Sequence, residues 1–511
     1  VLGADDLSLT ATGAHTANTE AEAGAQGSET GTGIGGGLAI DVHDRTTRAR
    51  IGAGAETVLT GAATLTADHS GTSAATMNAD ASGNTAVGAA IALSFVSDTA
   101  EADLDRDLTA TALAMSATGV ASSAATSKAS AKGTSKSQES SDGNSSANDQ
   151  RDSAVSTANA RSGKTNDPNA NGRDTSASGT GGGAVAVGAA LSLNVATLDA
   201  TAVLENVAVS AQTELDARAR MDASASADGS AAKAETSGTA DDDLVGVAVA
   251  INVATLNNAA GMAASASVTG GFSAEALMAP GDDGAHTLGA TAISGATGGN
   301  LSVAGSFALS IAETDTAATL AGDVSAAGAD VTLGAASTQT TTASATAAAE
   351  QAGETGVGAS IAIGVSNMDV DATIADAASV TGADAVTLSA TGSGENTILA
   401  EGGAESKKSG STAVGGGVAI AVVDQSTEAA IGIGDTLETT GSLSLSAIHH
   451  GKTETTATGK STGSTAVGAS VAVGIVTDAA RSSLSRDLHV AGDVSPVSYT
   501  HLRAHETDSY L

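Results

Sequence analysis

The chain has no cysteine and no tryptophan, and its 511 residues include only three prolines, three phenylalanines and two tyrosines. Without cysteine there are no disulfide staples and no thiol chemistry, although large secreted bacterial proteins commonly need neither, so the compartment stays open. With so few aromatics, an aromatic-centred globular core is excluded. Basic residues are also scarce: 21 Lys plus Arg face 57 Asp plus Glu, for a net charge of -36. Such a surface repels nucleic acid and anionic membranes. No apolar run reaches the roughly 18 residues that read as a membrane-spanning helix, so membrane insertion is not expected. The sequence opens at Val1 with neither Met nor signal peptide, which reads as an internal fragment.

What the chain has in abundance is glycine, at 63 residues, set in a phrase that recurs. The apolar residue opening each copy is Ile34, Val87, Val187, Val245, Val303, Val357, Val414 or Val467, with separations of 53, 100, 58, 58, 54, 57 and 53. About eight repeats of roughly 55 residues are therefore present, a period typical of solenoids and related arrays. The strongest internal match is ungapped at an offset of 380: from Ile34 and Val414 onward, 18 of 38 positions agree. It keeps Asp44 with Asp424 and Gly61 with Gly441, and resumes through Arg106-Asp107-Leu108 and Arg486-Asp487-Leu488. Shared composition alone would not hold those positions in step.

Stretches such as VAIAVV, LSLNVAT and SLSLSA alternate with period two and are bounded by Gly, Asp, Asn, Ser and Thr, so they read as short strands joined by turns. Alanine favours helix, but the glycines penalise it and no helical stripe persists. The fold expected is all-β, an elongated parallel β-helix or β-solenoid. A coil of about 18 to 25 residues would put two rungs in each repeat, some 16 to 20 rungs in all, or roughly 80 to 100 Å of length. Large aliphatics such as Val418 and Ile420 are expected to point inward.

Repeats are expected over residues 1–120 and 184–495. Between them, 121–183 is rich in Ser, Asn, Asp, Lys and Gly, and reads as a low-complexity disordered insert that stretches the 100-residue gap. The last stretch, 496–511, holds both tyrosines, and VSYTHLRAHET from Val497 resembles a translated sequencing adapter, so 496–511 is expected to be a non-native tail that does not dock.

Candidate chemistry is thin. His449-His450, with His69 as the counterpart in the first copy, raises a metal site, but no second ligand stands at metal spacing and a solvated turn is the preferred reading. Asp241-Asp242-Asp243 and Asp282-Asp283 have calcium-ligand chemistry without the EF-hand or nonapeptide spacing, so acidic turns are expected. Arg106-Asp107 and Arg486-Asp487 read as local turn contacts. The GIGGG at Gly33 and GTGGG at Gly179 lack the GK[ST] and the following helix of a phosphate loop. No catalytic, metal or cofactor residue is assigned, and no enzyme activity is expected.

The unit STAVGGGVAIAVVDQSTEAAIG, followed by TTGSLSLSA, resembles repeats of very large secreted bacterial exoproteins, the filamentous-haemagglutinin-like and leukotoxin-like adhesins. The resemblance covers most of Gly33 to Val494 apart from the insert. It implies a parallel β-helical shaft, an extracellular or cell-surface location, attachment to a host-cell or matrix component, and a secretion partner. The alternatives are a repetitive binder of an ordered surface such as ice or mineral, using Thr-rich strands like TQTTTASAT, and a polysaccharide-degrading β-helix enzyme. The enzyme would need clustered acids and, as a rule, aromatic sugar platforms, which this composition all but lacks.

Overall fold

The computed structural model describes residues 2–27, 31–133, 185–232, 243–281 and 284–506, and among these every regular element is a β-strand. One sheet has eight strands, running from Thr32–Ile51 to Thr465–Leu484. All are parallel, and every one is 20 residues long. Ile34, Val87, Val187, Val245, Val303, Val357, Val414 and Val467 form a single row across it, so the repeat alignment is the hydrogen-bonding register. The fold is a parallel β-solenoid.

Each repeat closes one coil, not two. The chain runs through Thr412–Ile431, turns through the short strand Leu437–Thr439, returns along Leu443–Thr462 in the opposing sheet, and re-enters the first sheet at Thr465. The opposing sheet repeats this order and is likewise parallel. Expected strands of a few residues thus become long ones, because the Gly, Ser, Asn and Asp read as turn boundaries continue the two-residue alternation inside the sheet. Eight strands at about 4.8 Å spacing make roughly 34 Å of stack, while 20 residues at about 3.3 Å span some 65 Å. The body is a broad slab rather than the long narrow needle expected.

The interior is a wedge. At the wide end, beside the short strands, Ile51, Leu104, Leu204, Met262, Leu320, Ile374 and Ile431 form one buried column, joined by Phe272. Toward the tight turns the inward residues shrink to alanine and then glycine, with one last inward column of mostly small residues, Ala86, Ala186 and Ala413 among them and Leu244 the exception, beyond it. Gly35, Gly88, Gly188, Gly246, Gly358, Gly415 and Gly468 share a column with Ala304. A Cβ added to Gly88, Gly188, Gly358 or Gly415 would come closer than 3.0 Å to a backbone carbonyl of the opposing sheet. The recurring glycine is therefore a contact between two backbones.

That narrowness inverts the expected phase. Ala419 and Ala421 are fully buried, whereas Val418 and Ile420 face outward. The strand's larger aliphatics sit outside because a carbonyl or an alanine occupies the space within.

Two segment boundaries also move. Residues 121–133, expected as insert, complete the strand Leu108–Gly133, with Ala121, Ser123, Ala125, Ser127, Ala129 and Ala131 turned inward. Small residues suffice in a slab this thin; residues 134–184 lie outside the described residues. In the 496–511 segment, the chain through Glu506 belongs to the strand Val494–Glu506, paired in register with Leu443–Thr455, and Ile448 stands opposite Tyr499. The expected undocked tail is thus paired as far as Glu506.

Gly358→Ala should cost about 2 kcal/mol or more in chemical denaturation, because the sheets must part. Gly305→Ala, outward with open space around its Cβ position, should be neutral or stabilising by up to about 1 kcal/mol. Ala419→Asp, which buries an unpaired charge, should prevent cooperative unfolding where Ile420→Asp leaves it intact.

Candidate functional site

Halfway along the strands the core turns polar. Asn194 donates to Asn252 Oδ1 at 2.9 Å and accepts from Ser123 at 2.5 Å. Gln339 donates to Ser366 at 2.8 Å and Thr341 at 3.0 Å, and accepts from Thr314 at 2.5 Å. Such amide and hydroxyl bonds pair part of the polar side chains that the slab removes from water, while others, Asn252 Nδ2 and Gln425 Oε1 among them, make no hydrogen bond among the described residues.

The histidines belong to this belt and not to a solvated turn. His69 is buried at 2 % exposure and His449 at 0 %. Their Nδ1 atoms meet the hydroxyls of Thr47 and Thr427 at 2.9 and 3.0 Å. Their Nε2 atoms face Asp98 at 3.1 Å and Asp478 at 3.8 Å. Asp98 is also 3.8 Å from Arg45, making an interior ion-pair cluster in the first coils. Period two put these rings inside because each occupies an inward position of a long strand. His450, the next residue, faces outward beside Tyr499.

Of the acidic runs, Asp243 begins an eight-stranded-sheet strand and is exposed, while Asp241, Asp242, Asp282 and Asp283 lie outside the described residues. The latter pair falls between Phe272–Met278 and His286–Thr297, two pieces of one interrupted strand that share the same neighbours. Among the described residues, no three His, Asp or Glu side chains converge as a metal group would require. The glycines of GIGGG lie inside the strand Thr32–Ile51, and Gly179 is outside the described residues.

The Arg-Asp pairs tie coils together instead of making local turns. Arg106 donates from Nε to the Gly52 carbonyl at 2.5 Å, one coil back, and Asp107 accepts from the Ala208 amide at 2.8 Å, one coil forward. Arg486 reaches the carbonyls of Gly432, Ala378 and Ala375 at 2.8, 2.8 and 3.1 Å, crossing two coils.

The outer face of the eight-stranded sheet is the feature period-two reading missed. Three further rows flank the Ile34 row: Leu38 to Val471, Ile40 to Val473 and Val42 to Ile475. All are Val, Ile or Leu apart from Phe95 and Phe307. They are most exposed on the two end strands, where Leu38 is 50 %, Val471 53 % and Ile475 56 % exposed, and are mostly half-buried on the strands between, with Ile361 at 40 %. Farther along the same strands the face turns acidic, through Glu313, Asp315, Asp369, Asp371, Asp424 and Glu428. Burial, then Asp369, Glu428 and Asp315, push the Asp371 carboxyl up to about 6. Asp315 and Asp369 are also raised, by burial first and then by neighbouring carboxylates.

No family model, curated protein or solved structure matches the chain.

His449→Ala leaves Thr427 and Asp478 facing an empty site and should cost about 2 to 4 kcal/mol, whereas His450→Ala should stay within about 0.5 kcal/mol. For Asp371, the folded chain holds the proton more tightly than the unfolded chain does. The resulting stabilisation is present below the ordinary carboxylate range and is lost as pH rises through about 6. Asp371→Asn should therefore raise Tm at pH about 7.5, and its advantage over the wild type should fade by pH about 4.

Proposed function

We propose that this chain is a structural segment from the shaft of a secreted or surface-displayed bacterial adhesin, placing adhesive elements at a distance from the cell. The observation carrying this reading is the residue-by-residue register of successive coils through the eight-stranded sheet. Coils stacked in this way transmit load through parallel ladders of backbone hydrogen bonds and derive their stability from their neighbours. The repeat resemblance supplies the adhesive context and the extracellular location. Attachment to a host-cell or matrix component would then reside in the turns, which tolerate variation while the strands are fixed by stacking.

An ordered-surface binder gains no support from the Thr-rich strand. Thr338, Thr340 and Thr342 face outward, but the coils above them put Ser393 and His450, Glu395 and Lys452, and Thr397 and Glu454 in the same rows. No threonine ladder continues across the sheet.

The test is a screen of the purified chain against extracellular-matrix proteins and glycans, beside an assay for polysaccharide cleavage. Saturable attachment without turnover is expected. Turnover abolished by a carboxylate substitution that leaves the fold intact would overturn the structural reading.

A further inference from the structure

The aliphatic face of the eight-stranded sheet is too large for a surface meant to stay wet. Its rows run from Ile34 to Val42 along the strand, with Gly36 between Ile34 and Leu38, and continue across all eight strands. Eight residue steps at about 3.3 Å by seven strand gaps at about 4.8 Å give a footprint of roughly 900 Å². Soluble monomers rarely expose contiguous apolar patches beyond a few hundred Å².

From this face we infer that two copies of the chain associate through it, sheet against sheet, about a two-fold axis that sets their strands antiparallel. Three observations select a second copy. A footprint of roughly 900 Å² on each partner matches the ~800 Å² per side of a standard stable interface. A pleated sheet face of aliphatic side chains can pack against its like, as the inner faces of β-sandwiches do. The charged half of each strand, with Asp315, Asp369 and Asp371 on the later strands and Arg48, Glu101 and Asp103 on the first, lies to one side of the aliphatic rows. An antiparallel two-fold therefore lays aliphatic rows on aliphatic rows and carries the charged zones to opposite ends, whereas a parallel two-fold, which reverses the coil order, would press the charged zones together and bring Asp369 over Asp199.

Among the described residues no element packs over this face. Residues 134–184 contain a single large aliphatic, Val155. A phospholipid surface is another apolar occupant, and a chain of net charge -36 is repelled by anionic bilayers. Association through this face neither requires the spacer role nor is required by it.

Sedimentation equilibrium of the intact chain over a range of concentrations tests the inference. A dimer is expected, and it should tighten as salt rises, because screening removes the repulsion between two acidic copies while leaving apolar burial in place. Ile363→Glu and Ile420→Asp both change outward side chains within the aliphatic rows and should weaken the dimer at least ~100-fold, with unchanged circular dichroism and melting of the monomer. Thr340→Asp, outward on the opposing sheet, should leave the dimer intact. A wild-type chain that stays monomeric at about 100 µM would overturn the inference, since standard interfaces of this size hold at micromolar or tighter. So would a dimer indifferent to both aliphatic substitutions. Binding of the monomer to neutral phosphatidylcholine vesicles, lost in the same two variants, would assign the face to lipid instead.

Discussion

The structure depends on how closely its two sheets approach. Stacked sheets ordinarily stand about 10 Å apart, with interdigitated side chains filling the gap. Here one end of the gap is closed by contact between backbones, at the column of Gly88, Gly188, Gly358 and Gly415. Alanine fills the middle, and Leu, Ile and Met open the far end. The composition follows from the wedge: a solenoid of long strands with so thin an interior needs glycine and alanine in quantity and has little room for aromatics. Phe272, the one fully buried Phe, sits at the wide end.

Excluding bulk from the interior displaces it to the exterior. The strand alternation has a small phase and a large phase, and only the small one fits between the sheets. In the narrow half of the slab the result is an inside of Gly, Ala, Ser and Asn and an outside carpeted in Val, Ile and Leu. Ordinary half-buried sheets do the reverse. The polar belt is part of the same arrangement. Side chains such as Asn194, Gln339 and His449 span the middle of the slab because their hydrogen-bonding groups meet partners in the next coil or across the gap.

Much of this was legible in the sequence. The repeat spacing from Ile34 to Val467 is the register of the sheet, and the strand class follows from the alternation around it. What misled was the meaning of small polar residues. Gly, Asn and Ser usually punctuate strands, and here they occupy interior positions of strands 20 residues long, so coils were counted double and the phase of Val418 and Ile420 was inverted. The buried cluster carried a signal of its own: Thr47, His69 and Asp98 recur as Thr427, His449 and Asp478 at the same ungapped offset of 380. Three chemically linked residues kept in step, far apart in sequence, mark side chains that meet in space. The Arg-Asp pairs did not disclose their reach, because their partners are backbone groups one or two coils away.

The most direct test of this account is disulfide trapping between neighbouring coils, made simple by a chain without cysteine. In one-coil-per-repeat geometry Ile363 and Ile420 are side-by-side partners on the outer face, 57 positions apart. Neighbouring strands at about 4.8 Å fall within the Cα separation that a disulfide spans. The double variant Ile363→Cys with Ile420→Cys should form an intramolecular bridge on mild oxidation, whereas Ile363→Cys with Ala419→Cys, which places the thiols on opposite faces of the sheet, should not. Two coils per repeat would separate the first pair by about 10 Å, and failure of that pair to bridge in a folded chain would contradict the architecture.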